Sequence, residues 1–158
     1  MGDDDRFAAQ LEMLRRSAGI ELDLDGHWWH DGVQFEHPLI IDILNKGLAT
    51  HPETGEAVVR LGEQWCYVDC QGTPFIGLNV SISSSGMPSI LLNTTERIDF
   101  AGVKLIEYHG AVHGKLPDDR LVRFSRAAQA QLAEHLIETK VGDYAVTTAA
   151  GTWPVDRN

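Results

Sequence analysis

The sequence predicts an α+β fold built as two related hairpin–helix–hairpin halves packed together. Three observations lead there. Apolar residues recur at helical spacing in a few stretches, most others alternate like strands between glycine-bearing turns, and the order turn, helix, tryptophan-bearing hairpin occurs twice. An N-terminal helix and strand over 1–25 are expected to precede a first half at 26–100 and a second at 101–158.

Arg6–Ala18 reads as an amphipathic helix with Phe7, Leu11, Leu14 and Ala18 on one face. Asp3–Asp5 before it and Arg15–Arg16 at its end suit the helix dipole, and Gly19 is its expected stop. Ile20–Leu24 alternates as a strand. The densest stretch follows, Gly26–Leu44. Its neighbours Trp28 and Trp29 must point to opposite sides of a strand, so one belongs in the core and the other outside it. Asp31–Gly32 is a turn signal, and the strand resumes over Val33–Phe35. Glu36–His37–Pro38 reads as a helix entrance, because proline's missing N–H costs nothing in the first turn; Leu39, Ile40, Ile43 and Leu44 carry that helix to a stop at Gly47.

Beyond the turn-rich His51–Gly55, the runs Ala57–Leu61 and Trp65–Asp69 flank Gly62–Glu63–Gln64 as a hairpin. Gln71–Pro74 breaks the sheet, Phe75–Ser83 is the next strand, and Ser83–Gly86 is a loop tip. Ser89–Asn93 and Val103–His109 are further strands, joined by Thr94–Ala101. Pro117, two aspartates and the stripe Leu121, Val122, Phe124, Ala128, Leu132 and Leu136 predict a long helix over Asp118–Glu138. A closing hairpin joins Tyr144–Thr148 to Thr152–Val155. A shift of 88 residues lays Ala145, Val146 and Trp153 on Ala57, Val58 and Trp65; a shift of 82 lays Gly114, Leu121 and Val122 on Gly32, Leu39 and Ile40.

Composition narrows the partners. Of 158 residues, 13 are basic and 23 acidic, a net charge of −10 that argues against a nucleic-acid polymer or an anionic membrane surface. A single nucleotide stays compatible, since a local arginine can hold it. Cys66 and Cys70, on one expected strand, stand roughly 13 Å apart, too far to bridge, and a reducing, cytoplasmic home is the expectation. Neither a leader peptide nor a membrane span is read from the sequence.

The chemistry-bearing residues form no familiar catalytic constellation. His27, His30 and His37 invite a metal reading, but the cysteines lack paired-ligand spacing, and His27 and His30 fall on opposite sides of a strand. No metal and no cofactor is expected. Glu36 and His37 suit a cap better than acid–base work, and no nucleophile motif stands out, so the reading leans away from an enzyme. Arg120, Arg123 and Arg126 would share one sector of the long helix, and Arg97 follows the polar loop Asn93–Thr95, where side chains and amides can converge on a ligand.

The run WWHDGVQFEHPLI at Trp28–Ile40, with Pro74–Phe75, Leu92–Asn93–Thr94 and Trp153–Pro154–Val155, resembles the bacterial domain-of-unknown-function family 1285. The resemblance implies a duplicated motif, a C-terminal part superficially like pleckstrin-homology domains, and a pocket at the junction of the two parts for a nucleotide-like ligand in a signalling role. It implies no enzymatic activity. This chain departs from the family pattern at His37, where arginine is common, and at Gly72, where an acidic residue is common.

The expected function is therefore a cytoplasmic sensor or accessory protein holding a small, phosphate-bearing ligand. Its candidate contacts are His30, His37, Thr73, Phe75, Asn93, Thr94 and Arg97. Aromatic faces would stack on a base and Arg97 would bind phosphate. The competing expectation is a protein–protein interaction module without a small ligand; a hydrolase using His30 or Glu36 is the third.

Overall fold

The computed structural model describes residues 2–157, which form an α+β protein. Two compact units are present, Met1–Pro74 and Phe75–Asn158, so the chain divides after Pro74 and not near residue 100.

Unit 1 begins with α1 (Asp3–Arg16), followed by β1 (Ile20–Leu22), β2 (Trp28–His30), β3 (Val33–Gln34), α2 (Pro38–Gly47), β4 (Leu48–Thr50), β5 (Ala57–Leu61), β6 (Gln64–Tyr67) and β7 (Asp69–Cys70). They make two sheets, β3-β2-β1-β7 and β4-β5-β6, with β7 returning parallel to β1. The adjacent tryptophans separate as expected: Trp28 is 1% exposed, while Trp29 is half-buried. Trp28 donates through Nε1 to Asn45 Oδ1 at 2.7 Å, tying β2 to α2. Asp31 and Gly32 both take positive φ, 47° and 83°, in the tight turn between β2 and β3. His37 caps α2 and Pro38 occupies its first turn, as the sequence implies.

The first helix forms, yet its apolar stripe docks only in part, Leu11 and Ala18 being half-buried. Phe7 and Leu14 are exposed, and α1 lies against β6 through Arg15, stacked on Trp65 at 4.0 Å, and Arg16, stacked on Tyr67 at 4.1 Å. Arginine stems and guanidinium planes cover aromatic rings here in place of a fully docked leucine stripe.

Unit 2 contains β8 (Phe75–Ile82), β9 (Pro88–Leu92), β10 (Arg97–Asp99), β11 (Lys104–Tyr108), β12 (Ala111–Lys115), β13 (Leu121–Phe124), α3 (Arg126–Ala133), β14 (Leu136–Lys140), β15 (Asp143–Thr148) and β16 (Gly151–Arg157). The strands form one sheet in the order β10-β9-β8-β13-β12-β11-β16-β15-β14, in which β8 with β13 and β11 with β16 are the parallel pairs. The long helix expected over Asp118–Glu138 is three elements instead. Asp119 turns the chain at φ 72°, Leu121–Phe124 becomes the strand between β12 and β8, Ser125 caps α3, and Leu136–Lys140 is an edge strand. The apolar residues at 121, 122 and 124 satisfy a helical stripe and a buried strand alike. Pairing on both sides by β8 and β12 decides for the strand. Arg120, Arg123 and Arg126 therefore lie in a turn, a strand and a helix, not on one helical sector.

Within unit 1 the chain runs three-stranded meander, α2, three-stranded meander, and within unit 2 β11 to β16 follow the same order around α3. The tryptophan hairpins differ in register. Trp65 pairs with Arg60, whereas Trp153 pairs with Val146, the residue that an 88-residue shift lays on Val58. Their surroundings differ too: Trp153 meets Phe100 edge-on at 5.7 Å and donates Nε1 to its carbonyl at 3.0 Å.

Candidate functional site

The seven sequence candidates fall in both units. In unit 1, His30 ends β2 with Nε2 3.4 Å from Asp31, and His37 accepts the Leu39 N–H on Nδ1 at 3.2 Å, the capping role. Thr73 is half-buried in the connector before Pro74. Phe75, Asn93 and Thr94 converge in unit 2, around an ion pair of Arg120 with Glu96. Phe75 is 1% exposed under the Arg120 guanidinium, 5.0 Å from its ring centroid. Asn93 Oδ1 accepts from the Ile76 N–H at 2.9 Å, and Thr94 Oγ1 donates to Glu96 at 2.7 Å. These groups hold the β9–β10 turn against β8. Arg97 lies on β10 and donates to Ser81 at 3.1 Å and Ser89 at 3.4 Å.

Aromatic and cationic groups gather elsewhere, on the β4-β5-β6 sheet of unit 1. The β5–β6 loop is two residues, Gly62–Glu63, since Leu61 pairs with Gln64; Arg60 therefore stands opposite Trp65 on one face. A three-residue loop, the expectation from sequence, would have set Leu61 there. At the β4 end, His51 Nδ1 accepts the N–H groups of Glu53 and Thr54 at 3.2 and 3.3 Å, which leaves the ring proton on Nε2. The His51 ring lies 5.4 Å from Trp65 and stacks on Tyr67 at 5.9 Å. On the same face, where α1 lies against β6, Arg16 binds both oxygens of Glu56 at 3.1 and 3.2 Å, and Tyr67 donates to Glu12 at 2.9 Å. The Arg16 hydrogen bonds hold the Glu56 carboxyl below its usual range. Arg15 Nε is buried without a hydrogen-bond partner beneath the indole.

A cavity of about 460 Å³ opens on this face, lined by His51, Val58, Arg60, Gln64 and Trp65 among others. It offers an aromatic surface, a guanidinium and an amide in one recess. None of the seven sequence candidates lines it. The signal that could have found it was the hairpin register, which sets Arg60 across from Trp65.

Among the described residues, the metal-capable group is Asp23, Asp25 and His27, whose ligand atoms lie within 4.8 Å of one another. Its geometry serves the chain itself. Asp23 accepts the N–H groups of Asp25 and His27, both at 2.9 Å, and Trp29 Nε1 at 2.8 Å. Burial alone would raise the Asp23 carboxyl, but these hydrogen bonds outweigh it and bring it below the usual range. No disulfide joins Cys66 to Cys70, and among the described residues no helix is long and apolar enough to cross a membrane.

Comparison with solved structures gives the fold a relative. A DUF1285 family protein from Silicibacter pomeroyi DSS-3 superposes with a TM-score of 0.66 at 13% identity, covering 86% of this chain and 78% of that one. The fold is that of DUF1285 proteins. A second DUF1285 family protein, from Shewanella baltica OS155, superposes at a TM-score of 0.56 and 11% identity over 75% of this chain and 92% of its own. No family model matches the sequence, and no curated protein matches it. The shared DUF1285 architecture thus shows in the path of the chain while few side chains are held in common.

Proposed function

We propose that this protein binds a small anionic ligand carrying a flat ring, a nucleotide in the simplest case, and serves a sensing or regulatory role in the cytoplasm. The observation that carries the reading is the cavity beside Trp65, where Arg60 stands across the hairpin and the His51 ring is held by two backbone amides. A volume near 460 Å³ lies within the range of small-ligand sites, about 300–1,000 Å³. The indole supplies a stacking surface, Arg60 a forked donor for phosphate, and His51 Nε2 a further N–H. The likeness to DUF1285 structures supports a member of that family, and the family's suspected ligand is of the same class. The residues differ from those the sequence suggested.

The test is a thermal-shift titration with adenosine and guanosine monophosphates and with inorganic phosphate, on protein first refolded to remove carried-over ligand. Ligand at a hundred times its Kd adds about 2.7 kcal/mol, a rise of roughly 5–10 °C in Tm for a chain this size. Trp65→Leu and Arg60→Ala should each abolish the rise. A flat response across the panel retires the reading.

A protein-interaction role has its own support. Leu39, Ile40 and Ile43 on α2 stand exposed, although α2 is apolar enough to be covered. A partner on this face would protect α2 from hydrogen exchange and be released by Leu39→Asp, with nucleotides having no effect.

A further inference from the structure

Unit 2 holds a second recess, unrelated to the one beside Trp65. About 260 Å³ in volume, it lies over the sheet between α3 and the β11–β12 turn, walled by Ala111, Leu132, Ala133, Leu136, Val146 and Val155. Its lining is mainly apolar; Gln129 also borders it, with its amide nitrogen already donating to the Phe124 carbonyl at 3.0 Å. Such a volume suits one large apolar side chain, whereas a charged group would lose part of its hydration there.

The recess opens beside the sheet's free edge. β14 is the last strand in the order, and all five of its residues are exposed. Thr147 donates to the His135 carbonyl at 2.9 Å, which fixes the alternation along the ladder. Ile137 then exchanges its hydrogen bonds with Ala145, while the N–H and C=O of Leu136 and Glu138 point away from the sheet. Leu136 and Glu138 also share a side-chain face, and Leu136 is itself a wall of the recess. An apolar socket, outward backbone groups and a carboxylate two residues further along thus occur in that order on one edge. Edges left open to solvent are usually protected by charge, proline or a bulge; here Glu138, Lys140 and the bulge between them guard the far end of β14, while its first two residues, Leu136 and Ile137, are exposed and apolar.

We propose that β14 receives an extended segment of a partner protein as an added strand, with a large apolar side chain seated in the recess and a basic residue two positions away facing Glu138. Backbone pairing supplies affinity and the two side chains supply register. A second copy of this chain fits poorly. Two β14 strands paired about Ile137 would set Glu138 of one copy opposite Leu136 of the other, bringing a carboxylate to the mouth of an apolar socket. Glu138, which accepts from the Gly142 N–H through Oε1 at 3.0 Å, keeps its other oxygen for the incoming base.

The test uses the full chain and a fluorescein-labelled peptide, Thr-Lys-Thr-Leu-Thr-Lys-Thr, whose lysines flank leucine symmetrically so that either strand direction serves. Anisotropy should report saturable binding that weakens about tenfold or more when the peptide leucine becomes alanine. Ala133→Phe, which fills the recess from an exposed position, should abolish binding, and Glu138→Lys should weaken it, each with an unchanged far-UV spectrum. Glu138→Pro gives a second reading, since it removes an outward N–H that the native ladder does not use. No saturable binding, or binding indifferent to Ala133→Phe and Glu138→Lys, overturns the proposal. So does a dimer in sedimentation that Ala133→Phe dissociates, which would make the second copy the occupant.

Discussion

The Arg120 guanidinium grips the Glu96 carboxylate through two hydrogen bonds, 2.7 Å from Nη1 and 3.0 Å from Nη2, and its Nε reaches Asp118 at 2.9 Å. Residues 24 positions apart are thereby joined, fastening the β9–β10 turn to the turn before β13, with the Phe75 ring beneath the guanidinium. The Arg120 hydrogen bonds are the main reason that the Glu96 carboxyl lies below its usual range, against a burial effect of opposite sign. A carboxyl depressed in the folded state adds stability above its unfolded pKa, and that contribution disappears as pH falls through the folded value. Urea melts of the wild type and Glu96→Gln should therefore differ most at pH 6–7 and converge as pH drops from about 5 to about 3. Because the Glu96 side chain is 44% exposed, the difference at neutral pH should stay under about 1 kcal/mol. A gap that persisted at pH 3 would mean that the turn depends on something other than this charge.

Asp23 offers a sharper case. One carboxylate accepts two backbone N–H groups and the Trp29 indole N–H, so it shapes the β1–β2 connection and aims Trp29 at once. Asp23→Ala leaves three donors without their acceptor, one of them half-buried, and should cost about 1–3 kcal/mol. Asp23→Asn keeps one acceptor oxygen and should recover part of the loss. Equilibrium urea denaturation measures both, and Trp29 emission should shift in the alanine variant as its indole changes surroundings. A change below about 0.3 kcal/mol for Asp23→Ala would show that solvent replaces all three bonds.

Local signals were readable where neighbouring residues alone decide the conformation. The opposed tryptophans, the Asp31–Gly32 turn and the His37–Pro38 helix entrance all stand where the sequence puts them, because strand alternation, positive φ and capping are short-range matters. The segment 118–138 was misread because its apolar spacing fits a helix, and only long-range pairing with β8 makes Leu121–Phe124 a strand. The recess beside Trp65 was missed for a smaller reason. A hairpin loop taken one residue too long moves every side chain of the returning strand to the opposite face, and Arg60 then loses its place across from Trp65. Asn93 and Thr94 attracted notice as polar residues in a loop, but both are 5% exposed and bonded within the turn they build.

Gly47 illustrates a residue correctly marked for an incomplete reason. It ends α2, yet it does not adopt the left-handed conformation that usually selects glycine at a helix stop. The backbone carbonyl of Arg60 and the Val59 side chain occupy the space a Cβ would need. Glycine is therefore required for the close approach of α2 to β5, and Gly47→Ala must push the helix off the strand. The expected cost is about 1–3 kcal/mol, seen as a lower urea midpoint. Gly55→Ala, at an open turn with nothing near the added methyl, isolates the backbone contribution at φ 74° and should cost less. Equal losses would show that crowding at Gly47 is relieved without penalty.

Cys66 should behave as a shielded thiol. It lies on β6 opposite Val59, which is fully buried, and burial pushes its pKa up. Since the thiolate is the reactive form, less of it is present at a given pH than for an exposed cysteine, and access is reduced as well. In a Cys70→Ser background, Ellman's reagent at pH 8 should label Cys66 about tenfold or more slowly than a small-molecule thiol, with a rate still climbing above pH 9. Adding urea past the unfolding midpoint should bring the rate to that of the free thiol. Rapid labelling of the folded protein at pH 8 would instead mean that β6 separates from β5 often enough to expose the thiol, and the Arg60–Trp65 face built on that hairpin would not be a fixed surface.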